Sequence, residues 1–361
     1  MVQNLCMSPR TQKSKAASGI AGRTATLVHV AEVAHVSVST AARVLRQADY
    51  PVTPELRGRV VVAAARLGYV PNMVARTLRG GTPGAVGLVV GDMLDPYYGE
   101  IAEAVTQRAE SAHSMLAIVC NMQRDPLLEI KYCRQLWEHR VAGLILAGGG
   151  FDQWSHFGQL KALVQQIQNA GIVVVSLSPR DLEIPAFCVD NERVGETLAR
   201  HLTDFGHRRV GVLLGPLEGE VTQQRLRGAS RVLSEVGARF QVVHSPYSHE
   251  SGVAGVDRLL SSDPTLTGFI TGSDMLAVGV SERLRALGRE IPRDASVVSV
   301  GNTLASRWAV PRLDTIDARR TEWGQAALDH VVARISGQDP PPAQRFEPRL
   351  VRGASVAPPL N

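Results

Sequence analysis

The stretch LVHVAEVAHVSVSTAARVLRQADYPVTPELRGRVVVAAARLGYVPNMVARTLR, from Leu27 to Arg79, decides the fold. Apolar residues recur in it at helical spacing in three short runs. A hydroxyl residue precedes each run and can accept a free first-turn N–H group. These caps are Thr26, Ser37 and Thr53. They predict a helix over about Leu27–Ala34, a second over Val38–Arg46, and a third that begins at Pro54 and ends at Gly68.

The turn between the first two helices is short, at His35-Val36. Val30, Ala34, Val44 and Leu45 can therefore meet across it, and the small Ala34 lets the two helices approach closely. Helices joined in this way form a helix-turn-helix, whose second helix enters the DNA major groove.

The outward face of the second helix carries Val38, Ser39 and Arg43. Val38 could touch a thymine methyl group, Ser39 could bond several base edges, and Arg43 could hold guanine through two hydrogen bonds. These three residues are the predicted base-contacting set.

Further motifs follow in a fixed order, and together with the helix-turn-helix they resemble the LacI/GalR family of bacterial transcription regulators. The matching runs are VAEVAHVSVSTAARVL, VTPELRGRV, AAARLGYVPN, ARTLRG, GLVVGDMLDPYYGEI, AGLILAGG, FGHRRVGVLLGP, GSDMLAVGV and IPRDASVVSV. The resemblance covers roughly Thr26 to Ala357. It implies a small all-α helix-turn-helix headpiece and a hinge helix, joined to a two-lobed α/β periplasmic-binding-protein-like domain with parallel sheets.

The implied domains are a disordered basic tail over residues 1–25, the headpiece over 26–70, the hinge helix and linker over 71–84, and a two-lobed effector-binding and dimerisation domain over 85–358. From Ala85 the sequence alternates apolar strands with amphipathic helices, as in parallel sheets covered on both faces. Two such runs predict two lobes with a cleft at the carboxyl ends of the strands. The resemblance adds three crossings between the lobes, near Phe205, near Ile316 and near Glu347.

A second Pro-started helical turn begins at Pro71 and contains Arg76 and Leu78. In the family, the leucine at the position of Leu78 wedges into the minor groove at the operator centre, where an apolar wedge unstacks a base step and bends the duplex. Arg76 would lie beside it, within reach of phosphates. The alternative is that Leu78 packs against its own headpiece.

The headpiece departs from the family pattern in several places, and Ala41 and Ala42 replace the customary larger and hydroxyl-bearing residues, which puts the exact operator sequence in doubt but not DNA binding. His35 stands where the turn usually has glycine, so a strained left-handed residue is expected there. His29 replaces the acidic residue of a capping box, so the first helix is expected to lose one reciprocal bond.

The formal net charge of +5 is unevenly placed along the 361 residues. Residues 1–81 hold 11 Lys/Arg and 3 Asp/Glu, whereas the remainder is mildly acidic. A basic segment on an acidic body indicates that the first segment meets phosphates, although a solvated basic surface would give the same charge.

Other functional classes find no support in the sequence. The four cysteines, Cys6, Cys120, Cys133 and Cys188, lack the spacing of zinc ligands or of a disulfide framework. No phosphate-binding loop, nucleophile elbow or zinc-protease motif occurs, so no metal, cofactor or catalytic residue is expected. No apolar run reaches about 18 residues and no secretory leader is found, which predicts a cytoplasmic protein.

Family members hold small ligands in the cleft between aromatic faces, with an Arg, an Asn and an Asp that fork onto sugar hydroxyls. The resemblance places Tyr97, Tyr98 and Tyr247 at or near aromatic positions. An ungapped local alignment places Gln223, Ser273 and Gly301 at the three polar positions, and Asn302 is a further neutral hydrogen-bonding residue. Asp274 is expected to cap a helix rather than contact the ligand, and Asp190-Asn191 could do either.

Arg193 and Arg320 stand where relatives have other groups. The gain of two arginines and the loss of an acidic fork favour an acidic or aromatic effector over a neutral sugar. A sugar acid, a phosphorylated metabolite and an aromatic metabolite all fit this description. The alternative is that both arginines point to solvent or pair with Glu192 or Glu322.

These observations predict a transcription regulator and not an enzyme, most simply a repressor controlled by a small-molecule effector. Useful specificity requires paired half-sites, so a homodimer on a pseudo-palindromic double-stranded operator is expected. The alternative is a solute-binding or sugar-active protein that shares the two-lobed fold without regulating DNA. The headpiece and the hinge leucine favour the regulator.

Leu78→Ala should reduce DNA bending and specific operator affinity while ligand affinity stays nearly unchanged, because Leu78 belongs to the linker and not to the cleft. Bending is measured by fluorescence energy transfer across an end-labelled operator duplex. Equal bending by the variant and the wild type would remove the wedge role.

Overall fold

The computed structural model describes residues 25–45, 52–70, 84–148 and 156–360. The chain forms two compact units, and the boundary between them in the sequence falls between Arg76 and Thr77. The predicted hinge residues Arg76 and Leu78 lie outside the described residues. Within the described part, no helix is both long enough and apolar enough to cross a membrane.

The first unit contains α1 (Leu27–Ala34), α2 (Val38–Leu45) and α3 (Pro54–Arg66). The predicted residues do meet across the turn between α1 and α2: Val30, Ala34 and Val44 are buried together, and Leu45 packs against them. Ser37 accepts a hydrogen bond from the backbone N–H of Thr40 at 3.1 Å, as expected of a cap. The helix-turn-helix predicted from the sequence is therefore confirmed.

The two histidines at the ends of α1 have different outcomes. His35 has φ 50° and ψ 52°, the expected left-handed conformation. The expectation that His29 removes a reciprocal cap was wrong. Its ring Nδ1 accepts from the Thr26 backbone N–H at 3.3 Å, while the Thr26 hydroxyl accepts from the His29 N–H at 3.4 Å. An unprotonated imidazole nitrogen thus replaces the carboxylate of the usual capping box.

The second unit consists of two α/β lobes. Lobe 1 contains β1 (Ala85–Val90), α4 (Pro96–His113), β2 (Leu116–Asn121), α5 (Pro126–Glu138), β3 (Gly143–Ala147), α6 (Phe157–Asn169), β4 (Val173–Ser176) and, from later in the chain, α12 (Arg320–Ile335). Its strands are parallel and lie in the order β2-β1-β3-β4. Helices cover both faces, which explains why β3 is apolar and buried along its whole length.

Lobe 2 contains α7 (Asn191–Asp204), β6 (Arg209–Leu214), α8 (Glu220–Glu235), β7 (Arg239–His244), α9 (His249–Ser262), β8 (Gly268–Thr271), α10 (Asp274–Ala286), β9 (Ser296–Val300), α11 (Leu304–Trp308), β10 (Asp314–Asp317) and β12 (Arg349–Val351). The sheet order is β12-β10-β9-β8-β6-β7, parallel except for β12. Two short strands between the lobes, β5 (Cys188–Val189) and β11 (Arg345–Phe346), pair with each other.

Two of the three expected crossings between lobes are confirmed, after β10 near Ile316 and between β11 and β12 at Glu347. The crossing near Phe205 was placed wrongly. Helix α7 already packs in lobe 2, where Val194 and Leu198 join the core with strands β6 and β9. The chain therefore crosses before α7, between β5 and Asn191.

Helices α7 and α8 touch backbone to backbone. A Cβ atom on Gly195 of α7 would lie 2.0 Å from the Arg225 carbonyl oxygen, and one on Gly228 of α8 would lie 2.0 Å from the Glu192 carbonyl oxygen. Only glycine permits this approach. The contact fixes the height of Arg225 relative to the first turn of α7.

Gly195→Ala should lower the free energy of unfolding by about 1–3 kcal/mol, because the added methyl group meets a backbone oxygen that cannot rotate away. Gly99→Ala is the matched control. A Cβ there meets nothing within 4 Å, so this helical glycine should tolerate alanine or gain up to about 1 kcal/mol. Urea unfolding of both variants checks the pair, and equal stabilities would contradict the close packing of α7 on α8.

Candidate functional site

A pocket lies between the lobes at the carboxyl ends of the parallel strands, where the sequence predicted a cleft. Its empty volume is about 830 Å³, including the opening to solvent. It is lined by Asp95, Tyr97, Tyr98, Arg124, Ala147, Gly148, Leu177, Ser178, Pro179, Cys188, Val189, Asn191, Gly219, Val221, Thr222, Arg225, Tyr247, Gly272, Ser273, Val300 and Trp323. Both lobes and the strand between them contribute, so a ligand here would contact both.

The predicted tyrosines do line this pocket. Tyr98 follows β1 and Tyr247 follows β7, and each ring lies over a glycine at the end of a strand. A Cβ on Gly91 would fall 2.5 Å from the Tyr98 ring, and one on Gly215 would fall 2.1 Å from the Tyr247 ring. Burial raises the pKa of Tyr98 well above its ordinary value, so its phenol is a neutral donor.

Arg124, which was not predicted as a site residue from the sequence, lies between these two rings. The Arg124 guanidinium is 5.6 Å from the centre of the Tyr98 ring and 5.5 Å from that of Tyr247. Its Nη2 donates to the Asp95 carboxylate at 3.0 Å, and its Nε is 3.6 Å from an Asp92 oxygen. Arg124 and Tyr98 belong to lobe 1 and Tyr247 to lobe 2, so this cation spans the cleft.

Arg225 of α8 is the second pocket arginine that was not predicted from the sequence. It is 6% exposed, and it lines the pocket from lobe 2. Its Nε donates to the Asn191 side-chain oxygen at 2.9 Å, and its Nη1 donates to the Gly272 carbonyl at 2.8 Å. Asp190 caps α7 by accepting from the Arg193 N–H, which leaves Asn191 to the pocket.

The two arginines predicted as a charged fork do not line the pocket. Arg193 has a side chain that is 59% exposed and lies near carboxylates of Glu196 and Glu347. Arg320 is buried and pairs with Glu100 and the Gly301 carbonyl, with its guanidinium 4.9 Å from the centre of the Tyr97 ring. Both arginines are therefore ion-paired outside the pocket, as the alternative expected. Their partners, however, are not Glu192 and Glu322.

Among the predicted neutral residues, Ser273 lines the pocket, but Gln223 and Asn302 do not. Gln223 donates to the Leu217 carbonyl, away from the cleft. The Asn302 backbone N–H donates to the Thr315 hydroxyl, and its buried side-chain oxygen has no hydrogen-bond partner among the described residues.

The helix that follows β8 is capped by Ser273, whose hydroxyl accepts from the Leu276 N–H at 3.2 Å. Asp274 was predicted as this cap and is not. Its buried carboxylate instead accepts hydrogen bonds from Ser299, Thr303 and Thr315, and so ties α10 to the ends of β9 and β10.

Helical periodicity was the signal that could have found Arg225. The inward side of α8 carries Thr222, Arg225, Ala229 and Val232, at spacings of three and four. Gln223 lies two residues before Arg225, and two residues rotate the helix by about 200°, which turns the side chain to the other face. Arg124 follows a strand end in a left-handed turn with φ 57°, and no periodic signal marks it.

The predicted base-contacting residues all lie on the solvent face of α2. Val38, Ser39 and Arg43 are exposed, whereas Ala41 and Val44 on the opposite face are buried. The Ser39 hydroxyl is 2.8 Å from that of Ser37.

Sequence comparisons agree with this architecture. Residues 26–72 match the family model for bacterial regulatory proteins of the lacI family. Residues 199–356 match the model for a periplasmic binding protein-like domain. The chain therefore combines a lacI-family helix-turn-helix region with a periplasmic-binding-protein-like domain.

Two similar repressors align with almost the whole of this chain. The HTH-type transcriptional repressor PurR of Glaesserella parasuis serovar 5 (strain SH0165) is 27% identical over 334 residues, which is 91% of this chain and 95% of the relative. PurR of Proteus mirabilis (strain HI4320) is 29% identical and covers 92% and 97%.

Two solved structures, of the lac repressor and of CelR, share the fold. The lac repressor dimer bound to operator and the anti-inducer ONPF superposes with a TM-score of 0.79 at 24% identity, covering 93% of this chain and all of the other. The complex of the transcriptional regulator CelR with cellobiose gives a TM-score of 0.67 at 25% identity, with coverage of 92% and 99%.

Arg124→Gln should shift the ligand-free protein toward a more open cleft, because two cation–π contacts worth about 0.5–2 kcal/mol each are lost, one of them to the opposite lobe. Small-angle scattering should show a larger radius of gyration. Arg134→Gln, at an exposed position on α5 of the same lobe, is the control for loss of one charge. Identical scattering from Arg124→Gln and the wild type would contradict the role of Arg124 in closure.

Proposed function

We propose that this chain is a DNA-binding transcriptional repressor whose operator affinity is set by a small molecule bound between the lobes. One observation carries the proposal. A lacI-family helix-turn-helix with an exposed α2 face precedes, in one chain, a two-lobed domain whose pocket is lined from both sides of a cleft. The relatives named above are themselves described as repressors.

The proposed division of labour follows the domain boundaries expected from the sequence. Residues 26–70 read the operator, with Val38, Ser39 and Arg43 facing the bases, and residues 71–84 form the hinge helix and linker, with Arg76 and Leu78 at the minor groove. Residues 85–358 bind the effector and the second subunit. Because a ligand in the cleft touches both lobes, it favours one lobe arrangement, and it controls DNA binding only through its different affinity for the two arrangements.

The proposed assembly is a homodimer, in line with the lac repressor, which was solved as a dimer bound to operator. Among the described residues, large apolar side chains are exposed at two places that suit self-association. Leu116 on the edge strand β2 is 65% exposed, and Trp308 and Val310 at the end of α11 are 75% and 78% exposed. Two copies would present two α2 helices to two half-sites of a pseudo-palindrome.

The proposed activity is binding without catalysis, in the cytoplasm, where operator DNA is found. A solute-binding or sugar-active protein with the same two lobes is the second candidate. A helix-turn-helix that exposes Val38, Ser39 and Arg43 to solvent has no role in such a protein, which favours the regulator.

Arg43→Ala should weaken specific binding by about 1–3 kcal/mol and relax preference at one base pair per half-site. The operator is first obtained by selection from random duplexes with the full chain. Arg57→Ala, which removes an exposed arginine from α3, should weaken binding to all sequences alike and keep the base preference, because α3 is not the proposed recognition helix. Failure to select any sequence would refute the proposed function, and an unchanged base preference in Arg43→Ala would refute α2 as the recognition helix.

A further inference from the structure

Arg225 is a buried cation without a buried anion. Its guanidinium donates only to neutral oxygens, those of Asn191 and Gly272, and within residues 25–45, 52–70, 84–148 and 156–360 no carboxylate forms an ion pair with it. The two other arginines with nearly buried side chains are compensated. Arg180 forms a two-bond pair with Glu129 at 2.7 and 2.8 Å, and Arg320 pairs with Glu100.

A buried cation in this position destabilises the folded protein unless it is compensated. Removing a charge from water carries a penalty of several kcal/mol that is offset only by an opposite charge and a full set of hydrogen bonds. Arg225 is 94% covered by protein, yet it faces the pocket and not the core. The missing opposite charge can therefore be supplied from the pocket itself.

The other charged groups of the pocket do not supply it. Arg124 already pairs with two carboxylates, with Asp95 at 3.0 Å and with Asp92 at 3.6 Å, so its charge is compensated within the protein. Tyr97 is held neutral because burial raises the pKa of its phenol. Among the described lining residues, Arg225 is thus the charged group that has no partner of opposite charge.

We propose that the pocket binds a small molecule that carries one carboxylate, and that this carboxylate pairs with the Arg225 guanidinium in the fork geometry that arginine provides. This inference rests on the proposed function, since it names the effector class of the same cleft. A single unpaired charge matches a monoanion and not a phosphate dianion. The hydroxyls of Ser178, Thr222 and Ser273 line the same space and suit a polyhydroxy skeleton such as that of a sugar acid.

The first test measures thermal stabilisation of the full chain without DNA, at constant ionic strength, by probes in matched pairs. The pairs are D-glucuronate with D-glucose, D-galacturonate with D-galactose, D-gluconate with D-glucitol, and benzoate with benzamide, and inorganic phosphate is added as a further arm. At least one carboxylate should stabilise the protein saturably while its neutral partner does not. Equal or stronger stabilisation by the neutral partners or by phosphate, or no effect of any carboxylate at tens of millimolar, would overturn the proposal.

Variants of Arg225 locate the effect. Arg225→Gln should weaken binding of the carboxylate probe by roughly 30-fold or more, since one partner of a buried charge pair is lost. Arg193→Gln, which removes an exposed arginine outside the pocket, should leave it unchanged. Unaltered carboxylate binding by Arg225→Gln would place the anion elsewhere and refute the assignment.

Asn191→Asp gives an independent answer even where Arg225→Gln fails to fold. The change is nearly isosteric and places a carboxylate on the atom that already accepts from Arg225 Nε. The ligand-free variant should melt at a higher temperature and bind the carboxylate probe more weakly, because the protein now compensates Arg225 itself. A variant that binds the probe as well as the wild type would overturn the proposal. These ligand measurements contain no DNA, so their outcome is independent of operator selection. Operator selection tests the proposed function, and the ligand measurements test the carboxylate proposal.

Discussion

The hydrogen bonds of Arg225 to Asn191 and Gly272 are the constraint on which the site depends. They join α8 to the first turn of α7 and to the end of β8, so one guanidinium sets the position of three elements at the floor of the cleft. The arrangement is possible because Gly195 and Gly228 let α7 and α8 meet at backbone distance. A buried charge held by neutral acceptors is incomplete by itself, which makes this floor a place for binding and not merely a part of the core.

Closure of the cleft depends on a second set of contacts, made between lobes. Arg124 of lobe 1 stacks on Tyr247 of lobe 2, and Glu100 of α4 pairs at 3.0 Å with Arg307 of α11. Arg320 also reaches from α12 to the Gly301 carbonyl at the end of β9. Each contact is of modest energy, so the lobes are held together without being locked, and a ligand can shift the balance by a differential affinity of a few kcal/mol.

The fold was predictable because its signals are local and repeated. Apolar strands alternate with amphipathic helices along the second unit, and hydroxyl caps mark the helices of the first. The crossing between lobes was misplaced because β5 has only two residues and gives no periodic signal. The apolar stripe of α7, with Val194, Leu198 and Leu202, would fit a core in either lobe, and only the tertiary structure assigns it to lobe 2.

The polar site was harder to predict than the fold, because a helix turns by about 100° per residue and a shift of two positions exchanges its faces. The choice of Gln223 over Arg225 came from such a shift. Arg193 and Arg320 were chosen for their charge, but their nearest carboxylates, on Glu347 and Glu100, lie far away in sequence. His29 shows the same limit, since its cap depends on which ring nitrogen accepts and not on its charge.

The most direct test of the account is the operator affinity of the full chain, measured with its selected duplex in the absence of ligand and with the cleft saturated by the carboxylate that stabilises it. Coupling between the two sites predicts a change in the dissociation constant of about 5- to 150-fold. An operator affinity that stays constant while the cleft is demonstrably filled would contradict the account.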